Sequence, residues 1–338
     1  TNTLSLHDAL PISFTHSQIA EYNSGFGGGG RSQNDPFYKL YPGTFNTKAD
    51  YCAWSWGISR LIDGLEIVKD KINADLGHIA VTGCSYAGKM ALYAGAFDER
   101  IALTIAQESG GGGVNSWRVS SEIGSDVEGI SNTNYDWFLN SFKSNFQSQI
   151  DKLPYDHHEL IAMIAPRAFL AFGNPDYVWL GDASGYASLK AAEEVWKAMG
   201  IEDRFGYVIE GGHSHCQASG NQNKAAQAFI NKFLHGDNSQ NTKVRTSTVN
   251  SNHSSGKFDW GGHKINHDKA CGVTGVYDVE SVIEENDGYY LSQNRPNPTN
   301  GETMIDFTIA DNSFVTIDLY NSLEIGRASC RERVLVFV

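Results

Sequence analysis

Seven residues, Gly83-Cys-Ser-Tyr-Ala-Gly-Lys89, lie between a short apolar run, His78-Ile-Ala-Val-Thr82, and helix-forming residues from Ser85 to Ala96. A strand that turns into a helix within so few residues limits the fold sharply. It needs small neighbours at the turn and a following helix that packs back on its own sheet. The rest of the region repeats the alternation. Trp54, Ile58, Leu61, Leu65 and Val68 fall at helical spacing. Ile101–Ala106, Arg167–Phe172 and Phe205–Ile209 read as further strands, and Ala183–Met199 and Lys224–Leu234 as helices. Strands alternating with helices predict an α/β fold, a mainly parallel sheet with helices on both faces, from Ser13 to His235.

Of 338 residues, 41% are apolar, enough for a sizeable core. The chain carries 26 basic and 39 acidic residues, net −13. That balance argues against nucleic acid or an anionic membrane surface as partner, because both favour clustered Lys and Arg. The longest apolar stretch, Leu160–Phe172, is broken by Pro166 and Arg167, so no bilayer span is expected. The two ends have another origin. Thr3–Ile12 reads TLSLHDALPI and Glu324–Val334 reads EIGRASCRERV. One DNA string encodes the first, and its reverse complement encodes the second. The string resembles a short-read sequencing adapter, so residues 1–12 and 324–338 are excluded as artefact and the authentic stretch is expected to be truncated at both ends.

The Gly83–Lys89 turn admits two chemistries. As G-x-x-x-x-G-K it approaches a phosphate-binding loop, but that motif continues with a magnesium-binding Ser or Thr. Here the next residue is Met90, and a thioether is a poor ligand for a hard cation. As a nucleophile elbow it presents Ser85 on a sharp turn between small neighbours, Gly83 and Ala87, at a helix start that favours developing negative charge. A nucleophilic serine needs a base, and the base an orienting acid. Glu108 closes the strand after the elbow, Asp176 follows the next, and His213 and His215 follow the last. The order serine, acid, histidine is that of the α/β-hydrolase fold. Cys84 precedes Ser85 and Cys216 follows His215. A disulfide between them would staple nucleophile to base and require an oxidising compartment, whereas the alternative is two buried thiols. Cys52 and Cys271 have no evident partner. The Gly27–Gly30 and Gly110–Gly113 runs read as flexible loops.

Together Gly-Cys-Ser-x-x-Gly-Lys, Gln107–Gly113, Trp117-Arg118, Asp156-His-His-Glu-Leu160, Ala165-Pro-Arg167, Trp179-Leu-Gly181 and His213-Ser-His-Cys216 resemble the glucuronoyl esterases. Phe37-Tyr-Lys-Leu-Tyr41 and Ala53-Trp-Ser-Trp-Gly57 extend the likeness upstream. The resemblance implies an α/β-hydrolase three-layer sandwich, lacking its first strands, over residues 13–236. It also implies cleavage of the ester between 4-O-methyl-glucuronic acid on xylan and a lignin alcohol. Carried over by position, Ser85 is the nucleophile, His215 the base, Glu108 the acid (Asp176 the alternative), and the Tyr86 N–H an oxyanion donor. The family implies the Cys84–Cys216 bridge. Lys89, Glu128 and Trp179 would contact the sugar, and Trp117 would belong to the core. No cofactor or metal is implied, and a monomer is expected. Two departures stand out: Tyr86 replaces an arginine that helps hold the oxyanion, and the absent first strands carry a loop that commonly donates another oxyanion N–H.

His157 and His158 read as capping and packing residues, and His213 as structural. Residues 237–290, rich in Asn, Ser, Thr and His, read as a linker. Leu291-Ser-Gln-Asn-Arg-Pro-Asn-Pro298 and the later Val315-Thr-Ile-Asp-Leu-Tyr-Asn321 resemble the C-terminal sorting domain of the type IX secretion system, over residues 291–323. That likeness implies a secreted or cell-surface protein with the secretion machinery as partner. Ile305, Phe307 and Ile309, then Val315, Ile317 and Leu319, predict two half-buried strands there. Rival readings are an acetyl or feruloyl xylan esterase and a catalytically impaired glycan-binding homologue.

Overall fold

The computed structural model describes residues 11–21, 31–72 and 74–250, and the short strands at 290–291 and 307–308. It divides into two units, Thr1–Val273 and Thr274–Val338. In the first, five strands form one parallel sheet in sequence order: β1 (Ile79–Cys84), β2 (Ile101–Gln107), β3 (Ala168–Gly173), β4 (Phe205–Ile209) and β5 (Arg245–Ser247). Among the described residues eight α-helices accompany them: α1 (Pro36–Leu40), α2 (Asp50–Ile72), α3 (Tyr86–Phe97), α4 (Trp117–Ile123), α5 (Asn140–Phe146), α6 (His157–Ala162), α7 (Asp182–Ala198) and α8 (Gly220–Phe233).

β3 and β4 are buried along their whole length, as expected where helices cover both faces of a parallel sheet. Alternate side chains serve opposite layers. Leu103, Ile105, Leu170, Phe172 and Val208 pack against Ala226, Phe229 and Ile230 of α8. Phe169, Ala171, Phe205, Tyr207 and Ile209 pack with Leu92 of α3, Ile161 of α6, and Leu189 and Trp196 of α7. A third cluster joins α2 and α3 through Tyr51, Trp54, Ile58, Ile62, Met90 and Ala94. The three layers predicted from the strand–helix alternation are therefore present. No helix among the described residues is long and apolar enough to cross a membrane.

The elements start where caps allow. Ser219 and Gln222 close a capping box, so α8 begins before the apolar residues from which the helix is predicted. Asp156 accepts the His157 N–H and caps α6, as expected for that segment. The segment after Gly236, read as linker, instead supplies β5, which pairs with β4. Its three residues, Arg245-Thr-Ser247, carry no apolar alternation; Arg245 is tied by its Nε to Glu193 (2.6 Å) and by Nη2 to the Glu202 carbonyl (2.6 Å). In the second unit, β6 (Tyr290–Leu291) pairs antiparallel with β7 (Phe307–Thr308), inside the first strand predicted there. The strand predicted at Val315–Leu319, most of the sorting-domain likeness, and Gly27–Gly30 lie outside the described residues.

Strand register decides which side chains meet. Cys84 pairs with Gln107, Gln107 with Phe172, and Gly173 with Ile209. The residues that leave β1 to β4 at their C-terminal ends therefore gather along one edge of the sheet, where ligands of parallel α/β sheets bind.

Candidate active site

Ser85 stands at the turn from β1 to α3 with φ 58° and ψ −125°, a backbone conformation that non-glycine residues rarely adopt. Its N–H donates to the Gln107 carbonyl (3.0 Å), and its own carbonyl accepts the Lys89 N–H (3.1 Å). The glycines here are steric requirements. A Cβ on Gly83 would lie 2.3 Å from the Ala87 carbonyl oxygen, and one on Gly88 2.5 Å from that of Gln107. The two glycines that permit the turn are thus residues 83 and 88, with Ala87 accommodated between them. Tyr86 opens α3, and its ring stacks on Trp137 (6.3 Å between centroids) with the His16 ring edge-on at 5.5 Å.

Glu108 follows β2 with φ 44°, fixed by its N–H on the Phe172 carbonyl (2.7 Å). Its fully buried carboxylate lies 2.6 Å from His215 Nδ1 and accepts the Cys216 N–H on both oxygens (3.2 Å). Gln107 Nε2 adds a longer bond of 3.3 Å. A carboxylate at Nδ1 assigns the proton of a neutral ring to that nitrogen and leaves Nε2 as acceptor. The backbone N–H of His215 donates to the Tyr177 hydroxyl (2.9 Å), and its ring lies beside Tyr177 and Trp179. Cys84 and Cys216 form a disulfide across 132 residues, with 5.5 Å between their Cα atoms. It ties the residue before Ser85 to the residue after His215. A His215 ring nitrogen and the two sulfurs lie within 4.8 Å of one another. The sulfurs are bonded to each other and present no thiolate to a metal. Cys52 is free.

Asp176 sits past β3, at the strand end where the fold allows an alternative acid. Its carboxylate accepts the Gly212 N–H (2.6 Å), whereas His215 Nδ1 bonds to Glu108.

Lys89, one turn into α3, is 3% exposed. Its ammonium donates to the Ser109 carbonyl (2.7 Å) and to Glu128 Oε2 (2.8 Å), and it lies 5.3 Å from the Trp137 ring centre. Glu128 also accepts the Thr133 hydroxyl (2.8 Å), and its N–H holds the Trp179 carbonyl (2.9 Å). Trp179 is 46% exposed. The Gly110–Gly113 run, read as a flexible loop, is buried instead. A Cβ on Gly111 would meet the Glu128 carbonyl oxygen at 2.3 Å, so glycine here permits close backbone approach. His157, buried beneath it, has Nδ1 against the Gly113 carbonyl, and burial lowers its pKa. Burial likewise pushes His158 down to about 4. Trp117 is core, packed against Phe138 and His157.

The sequence does not single out Tyr177, Trp137, Thr133, Asn174 or Asp182. Tyr177 is discoverable from its place two residues before Trp179. Asp182 is not, since only folding brings it to Asn174, whose N–H it accepts (3.1 Å). Burial raises the Asp182 carboxyl to about 7, and the Glu108 charge adds to the effect.

Known proteins are similar to this chain as a whole. The family model for "Glucuronyl esterase, fungi" matches residues 3–200. The chain is 42% identical over 256 residues to a 4-O-methyl-glucuronoyl methylesterase of Cerrena unicolor, covering 74% of this chain and 51% of that protein. It therefore spans about half the length of the curated relatives it matches. Among solved structures, the glucuronoyl esterase catalytic domain from Hypocrea jecorina has TM-score 0.64 at 37% identity, covering 73% of this chain and 69% of that one. A mutant glucuronoyl esterase from Sporotrichum thermophile in complex with methyl 4-O-methyl-β-D-glucopyranuronate has TM-score 0.64 at 35% identity, covering 72% and 67%.

Proposed function

The chain belongs to the glucuronoyl esterase family, and from that premise we propose that it is a serine esterase of glucuronoxylan–lignin esters, with Ser85 as nucleophile, His215 as base and Glu108 as acid. The observation that carries this reading is the 2.6 Å contact between Glu108 and His215 Nδ1, beside a disulfide that ties the strained Ser85 turn to the His215 loop.

In the proposed reaction His215 Nε2 takes the Ser85 proton as the oxygen attacks the uronoyl carbonyl. The Tyr86 N–H, at the first turn of α3, faces the developing oxyanion with the helix dipole behind it. The collapsing intermediate releases the alcohol, which receives the proton from His215, and water then frees the acid from Ser85 by the same steps in reverse. Glu108 keeps His215 in the Nδ1–H tautomer and stabilises its imidazolium. Lys89, held by Ser109 and Glu128, offers its remaining hydrogen to a sugar hydroxyl, and Trp179 flanks the acyl group beside His215. The ester is uncharged at the reacting carbon, so a chain of net charge −13 does not repel it, whereas it does repel the uronate product.

Hydrolysis of benzyl glucuronate by the chain and by Ser85→Ala tests the reading. Turnover that disappears in the variant supports it. Turnover that persists in the variant, or an acetyl ester cleaved in preference, overturns it.

Export belongs to the same proposal. The Cys84–Cys216 bridge persists only in an oxidising compartment, and the motif at Leu291–Pro298 suits type IX secretion to the cell surface, with the catalytic unit working as a monomer.

A further inference from the structure

A second histidine lies against the same carboxylate. The His213 side chain is 6% exposed, and its Nδ1 is 3.9 Å from Glu108 Oε1, the oxygen opposite the one nearest His215. Its Nε2 is 3.1 Å from the Glu210 carbonyl oxygen, so that nitrogen carries a hydrogen in either protonation state. At Nδ1 the neighbours are divided. Asn174 Nδ2 lies 3.1 Å away and donates to a neutral ring, while the Ser214 carbonyl (3.2 Å) and Glu108 would both receive a proton from a charged one.

Asn174 is fully buried and cannot turn its amide over. Nδ2 also donates to the His213 carbonyl (3.0 Å), Oδ1 accepts the Asp176 N–H (3.3 Å), and the backbone N–H is on Asp182. It therefore holds a donor against Nδ1, which only a neutral ring can accept. The ionisable groups around His213 are Glu108 after β2, Asp176 after β3, Asp182 at the start of α7, His215, and Glu210 after β4. The Glu210 carboxylate is occupied by Ser219 and Asn221.

We propose that His213 is a positioning residue whose neutral state reserves Glu108 for His215, and whose protonation divides that carboxylate between two imidazoles. The inference rests on the reading of His215 as base and Glu108 as acid. With His213 neutral, the Glu108 charge stabilises only the imidazolium that forms on His215 during attack. With His213 charged, Glu108 is drawn toward a second cation, and proton uptake by His215 is opposed in a site of low dielectric, slowing the step by about tenfold or more. Two histidines must then be neutral for full activity.

The test is the pH dependence of Ser85 labelling by a fluorophosphonate, followed beside kcat/KM on benzyl glucuronate, for the chain and His213→Gln. The expected acid limb of the parent is steeper than one proton, with logarithmic slope above one, and His213→Gln returns it to one. A slope of one in the parent overturns the proposal, as does a steep limb that survives in the variant. If His213→Gln does not fold, Asn174→Asp replaces the donor at Nδ1 with an acceptor and favours the charged ring. The acid limb should then move to higher pH, and an unmoved limb overturns the proposal. Fluorophosphonate labelling does not depend on the sugar. Labelling without glucuronate turnover therefore counts against the substrate class alone, and no labelling removes the premise on which the His213 inference stands.

Discussion

Replacing Glu108 with glutamine removes one negative charge beside His215 while keeping the side chain's length. In the parent the carboxylate lies 2.6 Å from Nδ1, has no exposure, and takes two further bonds from the Cys216 N–H. With the imidazolium and carboxylate charges centred about 4 Å apart at an effective dielectric of ~20, their attraction is ~4 kcal/mol. In the proposed reaction that attraction exists only while His215 holds the Ser85 proton, so it bears on the transition state and not on substrate binding. Its loss predicts a fall in kcat of about 10²–10³ with little change in KM. The amide oxygen can still accept one N–H, so a folded variant is expected, with a lower Tm. Asp176→Asn is the control. Its amide oxygen can keep the Gly212 N–H, and kcat should stay within about threefold. Steady-state hydrolysis of benzyl glucuronate by both variants decides the matter. A hundredfold loss in Asp176→Asn with Glu108→Gln nearly unaffected would refute the assignment of the acid, whatever the resting geometry.

Three more outcomes are expected from particular contacts. Asp182, raised to about 7 by burial, keeps its proton in the folded state over pH values at which the unfolded chain has lost it. Its contribution to stability therefore falls as pH rises from about 4 to about 7 and is level above, a span of at most ~4 kcal/mol. Asp182→Asn, which can still accept the Asn174 N–H, should show a Tm advantage over the parent that grows across that window and vanishes in acid; thermal melts at several pH values check it. Reduction of Cys84–Cys216 releases a closure of 132 residues, worth ~4–5 kcal/mol by chain entropy. Dithiothreitol should lower both Tm and the rate of fluorophosphonate labelling, because the His215 loop loses its tie to the elbow. Gly111→Ala should destabilise and impair turnover by pushing on the Glu128 carbonyl, whereas Gly64→Ala, in open space within α2, should stabilise by about 0.5–1 kcal/mol in denaturant melts.

The parts of the fold legible in the sequence are those with a local cause. The elbow is written in Gly83, Ser85 and Ala87, because a strained turn needs small residues at fixed offsets; the need for glycine at 88, against the Gln107 carbonyl, shows only in the folded chain. β2 to β4 are written in apolar runs, because a strand covered on both faces must be apolar along its length. β5 is not legible: Arg245-Thr-Ser247 owes its place to pairing with Tyr207–Ile209 and to Glu193, and nothing local distinguishes it from a linker. Gly110–Gly113 misleads for a related reason. Glycine is permissive in both senses, and only the arrival of the Glu128 backbone shows that freedom being used for close packing.

In the site, chain order alone nominates Ser85, two possible acids and two histidines, His213 and His215, since strand ends of a parallel sheet must share one edge. Which carboxylate bonds to His215 is decided by tertiary structure. Glu108 and Asp176 are equally acidic in sequence, but the turn after β4 gives its Gly212 N–H to Asp176 and sets His215 on Glu108. The surroundings of His213 and Asp182 lie beyond sequence reasoning altogether, because a charge placed by folding leaves no periodic trace. Local sterics and periodicity survive in a one-dimensional string. The direction of a buried side chain, and the charge it meets, depend on contacts between residues a hundred positions apart.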